Sequence, residues 1–260
     1  MKDLAKIAKD CRRTVLKMIH EAGTSHIGSN FSCTEILTAL YETMKVDRKL
    51  SYNRDKFILS AGWKAATLYY FLARKGIIPK KALATYCKPK SDYIGLAEPK
   101  VRGVEFAGGS MGMGLSAVVG FALANKLTNN PGRIFVLESD GGMNCGTTWE
   151  ALLLAGHHKL NNLTLIVDAN EFQAMGRTSD ILDTSPLDKK LESFGWEVHN
   201  INGHSFRQLL RKLGRKSKKP KCLIAHTVKG KGVKRFEGDN LWHYWHIDKQ
   251  TYAEARKDLR

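Results

Sequence analysis

At 260 residues with 43% hydrophobic content, the chain can close one large core, and a single domain over 1–260 is expected rather than two small ones. No run of about 18 apolar residues appears, and Met1-Lys2-Asp3-Leu4-Ala5-Lys6 lacks the apolar core of an export signal, so the expectation is a cytoplasmic protein without a membrane span. The formal net charge of +17 could suit nucleic acid, but no recognised nucleic-acid module accompanies it and a role on nucleic acid or membrane is not expected.

Leu4 to Ala22 carries Leu4, Ile7, Ala8, Cys11, Val15 and Ile19 on one stripe and predicts a helix, followed by a glycine-bearing loop that presents His26. Thr34 to Met44 and Ala65 to Arg74 read as further helices, with Lys56 to Ser60 a short strand between them. Gly112 to Lys126 is a small-residue-rich helix, preceded by Gly108-Gly109-Ser110. Gly195 to Asn202 and Cys222 to Val228 supply later strands. Between them Arg207, Arg211, Lys212, Arg215, Lys216, Lys218, Lys219 and Lys221 crowd a predicted surface helix and its loop, which reads as a solvated face. The five cysteines are odd in number and scattered, so reduced thiols are expected.

The centre of the chain is more specific. Arg133 to Glu138 is short, apolar and β-branched and runs into Ser139-Asp140-Gly141-Gly142; Leu163 to Val167 does the same into Asp168-Ala169-Asn170. Thr147 to Leu160, with Trp149, Leu152, Leu153, Leu154 and His157, spaces its apolar residues as a crossover helix. Strand and helix alternate throughout, which predicts an α/β fold with a doubly wound, mostly parallel sheet flanked by helices. A crossover brings Asp140 and Asn170 to one carboxyl edge, where such sheets bind ligands, beside a helix amino end that favours an anion. One carboxylate and one amide oxygen suit magnesium or calcium, and so sparse a ligand set is completed by phosphate oxygens and water. The inferred ligand is a metal-bridged diphosphate, approached closely by Gly141, Gly142 and Gly146.

Asp140-Gly141 after one strand and Asn170 thirty positions on, after the next, resembles the thiamine diphosphate motif of the transketolase family. Ser25-His26-Ile27-Gly28-Ser29, Arg54 to Ser60, Gly103 to Phe106, Gly112-Met113-Gly114-Leu115 and Ala225 to Gly232 follow in that family's order. The resemblance is to the amino-terminal half of transketolase as it occurs in split, two-subunit versions. It implies thiamine diphosphate with Mg2+ or Ca2+, the metal held by Asp140, Asn170 and the carbonyl of Phe172, and Gly141 against the diphosphate. Gly109, Ser110 and Met111 match the loop that touches the thiamine ring and its linker. His26 and His243 match histidines of the reaction channel, the latter also near the diphosphate.

Departures accompany the matches. Gly62-Trp63-Lys64 stands where the family usually has Gly-His-Ala, and Gly95-Leu96-Ala97 where it has Gly-His-Pro. Indole has one donor and leucine none, so the substrate pocket at Trp63 and Leu96 is expected to be narrower and less polar. Ser139 replaces a glycine and Cys145 replaces a glutamate of the subunit interface, whereas Glu150, the other interface glutamate, is kept. In relatives the glutamate that activates the aminopyrimidine lies in the other half of the enzyme. The resemblance therefore implies a transferase that moves a two-carbon ketol or acyl unit from a keto donor to a carbonyl acceptor. It would be active only with a second transketolase-like subunit, in a heterotetramer, that supplies the glutamate and the pyrimidine pocket. The competing expectation is a non-catalytic assembly or regulatory subunit that keeps the fold.

Overall fold

The computed structural model describes residues 3–260. Its first helix, α1 (Leu4–Ala22), starts where the Asp3 carboxylate accepts a hydrogen bond from the Lys6 amide and stops at Gly23, whose φ of 62° only glycine adopts easily. After it come α2 (Ile27–Ser32), α3 (Thr34–Thr43), β1 (Lys56–Leu59), α4 (Ala65–Arg74) and α5 (Met113–Leu127). The central unit is β2 (Ile134–Ser139), α6 (Gly146–His157) and β3 (Leu163–Ala169). A small hairpin of β4 (Phe172–Gln173) and β5 (Gly176–Arg177) leads to α7 (Thr178–Leu182) and α8 (Leu187–Ser193). The chain finishes with β6 (Glu197–Asn202), α9 (Phe206–Gly214), β7 (Lys221–His226) and α10 (Lys249–Asp258).

Five strands form one parallel sheet in the order β1-β2-β3-β7-β6. Alternation along each strand divides the core in two. Phe57, Leu59, Phe135, Leu137, Ile166 and Leu223 pack with the apolar side chains of α1, α3 and α4. Ile58, Ile134, Val136, Leu163, Leu165 and Val167 pack with α5, α6 and Trp196 on the other face. The expected doubly covered parallel sheet is therefore observed, because strands apolar on both faces need helices on both.

Several boundaries and faces differ from expectation. α2 was not predicted: its six residues, Ile-Gly-Ser-Asn-Phe-Ser, are all buried and carry no amphipathic signature. α10 follows a cap at Asp248, whose carboxylate accepts from the Thr251 amide at 2.7 Å. Leu153 and Leu154, expected on the crossover helix, are 57% and 47% exposed. Lys221 does not belong to the solvated basic face. It is buried at the start of β7, and its ammonium donates to the carbonyls of Lys212 and Arg215 at 2.6 and 2.8 Å, closing the carboxyl end of α9. The five cysteines are unpaired. Among the described residues no helix is long and apolar enough to cross a membrane.

Candidate functional site

Parallel pairing puts Ser139 opposite Asp168, so the residues after β2 and β3 emerge at one edge of the sheet. Asp140 follows directly, and its carboxylate bridges the two segments. One oxygen accepts from the Gly141 amide at 2.9 Å, the other from the Glu171 amide at 2.6 Å, between Asn170 and Phe172. Asn170 is buried, its Oδ1 accepting from the Phe172 amide at 3.2 Å and its Nδ2 directed to Asp168 at 3.4 Å. Burial, reinforced by the nearby Asp168 charge, pushes the Asp140 carboxyl up to about 7.

A cavity of about 190 Å³ opens at this edge and is lined by His26, Trp63, Gly109, Met111, Gly141, Asn170, Phe172 and His243, among others. These residues, separated by up to 217 positions, were all singled out from sequence. Ser110 is exposed and Leu96 is 41% exposed; neither lines the cavity. Leu96 instead backs Gly109, where an added Cβ would stand 3.2 Å from its methyl.

His26 and Trp63 are placed by one fully buried residue, Asn30. Its amide nitrogen donates to the His26 carbonyl at 2.9 Å and to the Trp63 carbonyl at 3.2 Å, while its oxygen accepts from the Thr67 amide at 3.0 Å. His26 sits at φ 70° before α2, an uncommon conformation for a residue with a side chain. Its amide donates to the His243 carbonyl at 2.9 Å, and the two rings meet edge to face with centroids 5.0 Å apart. Burial, then the charge of Lys229, lowers His26 to about 4 and His243 to about 3, so both imidazoles are neutral at physiological pH.

Four further charged residues act here that sequence reasoning did not assign. Asp168 and Lys64, both without exposure, form an ion pair, and Asp168 also accepts from the hydroxyls of Ser32, at 2.6 Å, and Thr227. Burial raises Asp168, but Lys64 and the two hydroxyls override it and hold the carboxyl below its ordinary value. Lys229, 1% exposed, donates to Asn240 Oδ1 at 2.6 Å and to His243 Nδ1 at 3.0 Å. Glu138 is buried within β2, where its carboxylate accepts from the Ser139 amide at 2.8 Å and from the Ser60 hydroxyl. The available signal was a charge interrupting an apolar run, as Glu138 does in Ile-Phe-Val-Leu-Glu-Ser.

Glu138 also revises the reading of the glycines. A Cβ on Gly142 would lie 2.1 Å from Glu138 Oε1, and one on Gly141 would lie 2.9 Å from the Gln173 Cβ, whereas one on Gly146 would meet nothing within 4 Å. Close internal packing therefore accounts for Gly142, while the space beside Gly146 is open within the chain.

The chain is similar to known proteins over nearly its whole length. The chain is 39% identical over 249 residues to an apulose-4-phosphate transketolase subunit of Actinobacillus succinogenes, covering 93% of this chain and 90% of that one. It is 33% identical over 267 residues to a 6-deoxy-6-sulfo-D-fructose transketolase subunit of a Clostridium species, covering 99% and 96% respectively. Among solved structures, transketolase from Campylobacter jejuni superposes with a TM-score of 0.92 at 29% identity, across all of this chain but 43% of that one. The chain thus spans nearly the whole of the subunit relatives and less than half of the transketolase from Campylobacter jejuni. Residues 4–259 match the family model described as the thiamine diphosphate binding domain of transketolase, and the chain belongs to the transketolase family.

Proposed function

We propose that this chain is the diphosphate- and metal-binding subunit of a two-subunit, thiamine diphosphate-dependent transferase of transketolase type. The observation that carries the reading is the tie between Asp140 and the Asn170–Phe172 segment at the edge of the cavity. The donor set fits the cofactor: a carboxylate, an amide oxygen and a backbone carbonyl are hard oxygen ligands suited to magnesium or calcium, and two buried lysines stand nearby for an anion. Three oxygen ligands would leave the remaining places on an octahedral ion to the diphosphate and water.

Asp140, Asn170 and the Phe172 carbonyl would hold the ion, Gly141 would lie against the diphosphate, and Gly109, Ser110 and Met111 would meet the thiamine ring and its linker. When bound, the cofactor supplies the means to break a carbon–carbon bond beside a carbonyl and pass the fragment on. His26 and His243, neutral and half-buried or buried, would donate to or accept from substrate oxygens without bringing a charge. Trp63 presents an indole to the same cavity and favours a donor with fewer hydroxyls, including an acyl unit from a 2-oxo acid.

The site is half of one. A cavity of about 190 Å³ falls below the roughly 300–1,000 Å³ typical of small-molecule pockets. Met111, Met113, Met175, Tyr244 and Trp245 are exposed on or close in sequence to its lining, an apolar surface suited to a partner. A second transketolase-like subunit would cover it, supplying the pyrimidine pocket and the catalytic glutamate, in a cytoplasmic heterotetramer. The names of the subunit relatives point to sugar substrates of the keto class. The test is reconstitution: this chain with a candidate partner subunit, thiamine diphosphate and magnesium, screened against keto sugars and 2-oxo acids. Turnover is expected from the mixture and none from either chain alone; full turnover by the isolated chain overturns the split site.

A further inference from the structure

Two lysines are sealed inside the protein beside this cavity, and they are held differently. Lys229 is bonded to neutral atoms, Asn240 Oδ1 and His243 Nδ1, and lies 5.4 Å from the centroid of the Phe172 ring. Lys64 lines the cavity and is paired with a carboxylate, Asp168, while also donating to the Ser29 carbonyl at 3.4 Å. It stands where the family pattern usually has an alanine.

The pairing decides what each acidic group can offer. Asp168 Oδ2 accepts from Lys64, from the Ser32 hydroxyl at 2.6 Å and from Asn170 Nδ2 at 3.4 Å, and Oδ1 accepts from Thr227. A carboxylate so occupied cannot ligate a divalent ion without releasing a buried ammonium. What it does instead is fix the Asn170 side chain by its nitrogen, leaving the amide oxygen as the available ligand. Asp140, whose oxygens accept from two backbone amides and from no ammonium, is then better placed than Asp168 to take a metal. With Asp168 neutralised by Lys64, the ammonium of Lys229, bonded to neutral atoms, is left as positive charge near the cavity whether or not a metal accompanies a diphosphate.

We propose that Lys64 is a resident counter-cation of the diphosphate pocket: it cancels Asp168, which would otherwise repel the anion, and positions Asn170 through it, so that diphosphate binding depends only in part on divalent metal. This rests on the cofactor reading above.

The experiment is calorimetric titration of the full chain with thiamine diphosphate, and with thiamine as the control lacking the anion, in magnesium and in EDTA. In EDTA the wild type is expected to bind thiamine diphosphate at least about tenfold more tightly than thiamine, the size of one charge-assisted contact. Lys64→Met should erase that preference in EDTA while weakening binding in saturating magnesium much less, and Lys64→Arg should retain it. Equal losses in both media would mean that Lys64 only supports the fold, and would overturn the proposal. If Lys64→Met does not fold, the wild type still decides: no preference for thiamine diphosphate in EDTA, alongside binding in magnesium, overturns the role of Lys64 alone. No binding in magnesium even with the partner subunit present overturns the cofactor reading and this inference together.

Discussion

The His26 amide donates to the His243 carbonyl at 2.9 Å while their rings meet edge to face, so residues from the two ends of the chain form one wall of the cavity. Burial and the neighbouring Lys229 keep both rings uncharged, with folded values of about 4 and about 3. In the unfolded chain they titrate near 6.5. Below that pH the unfolded state takes up protons that the folded state refuses, so the contribution of the pair is intact above about 6.5 and stability falls as pH drops toward 4. Urea midpoints at pH 7.5 and 5.5 check this. The decline should be smaller in a His26→Asn/His243→Asn variant than in the wild type; an identical decline would show that other groups carry it.

Glu138 and Gly142 share one space. An alanine at 142 would put its Cβ 2.1 Å from Oε1 of the fully buried Glu138. Gly142→Ala is expected to cost about 1–3 kcal/mol by overpacking. In a Glu138→Ala background the same change should cost less, by a coupling of roughly 0.5–3 kcal/mol. Denaturant midpoints of the four proteins measure it, and simple additivity would contradict the shared space.

Trp63 is placed by Asn30 and presents its indole where the family carries an imidazole. In the reconstituted enzyme, Trp63→His should move the ratio of kcat/KM for ketose phosphates over 2-oxo acids by about tenfold or more toward the sugars, as expected when a hydroxyl regains a partner. A ratio unchanged within about twofold would remove Trp63 from donor selection.

The fold was legible where strands are continuous apolar runs, as in β2 and β3, and where helices show a stripe and a cap, as in α1. The same runs placed Asp140 and Asn170, because a strand that ends in a turn residue announces its carboxyl end. α2 was not legible, since a six-residue helix buried all round shows no periodicity. Nor were the charges that underlie the site. Lys64 and Asp168 lie 104 positions apart, and only folding makes them partners. Lys221 groups with its exposed neighbours in sequence, because a cluster of cations does not reveal which one turns inward to a helix end.

The most direct test is whether Asp140 holds a metal for a diphosphate. Calorimetric titration of thiamine diphosphate into the chain in excess magnesium should give binding in the wild type, and Asp140→Ala should weaken it by roughly 100-fold or more, beyond the 10–100-fold typical of groups that only support a ligand. Equal affinity in the two proteins, or no binding to the wild type even with its partner subunit present, would contradict the site described here.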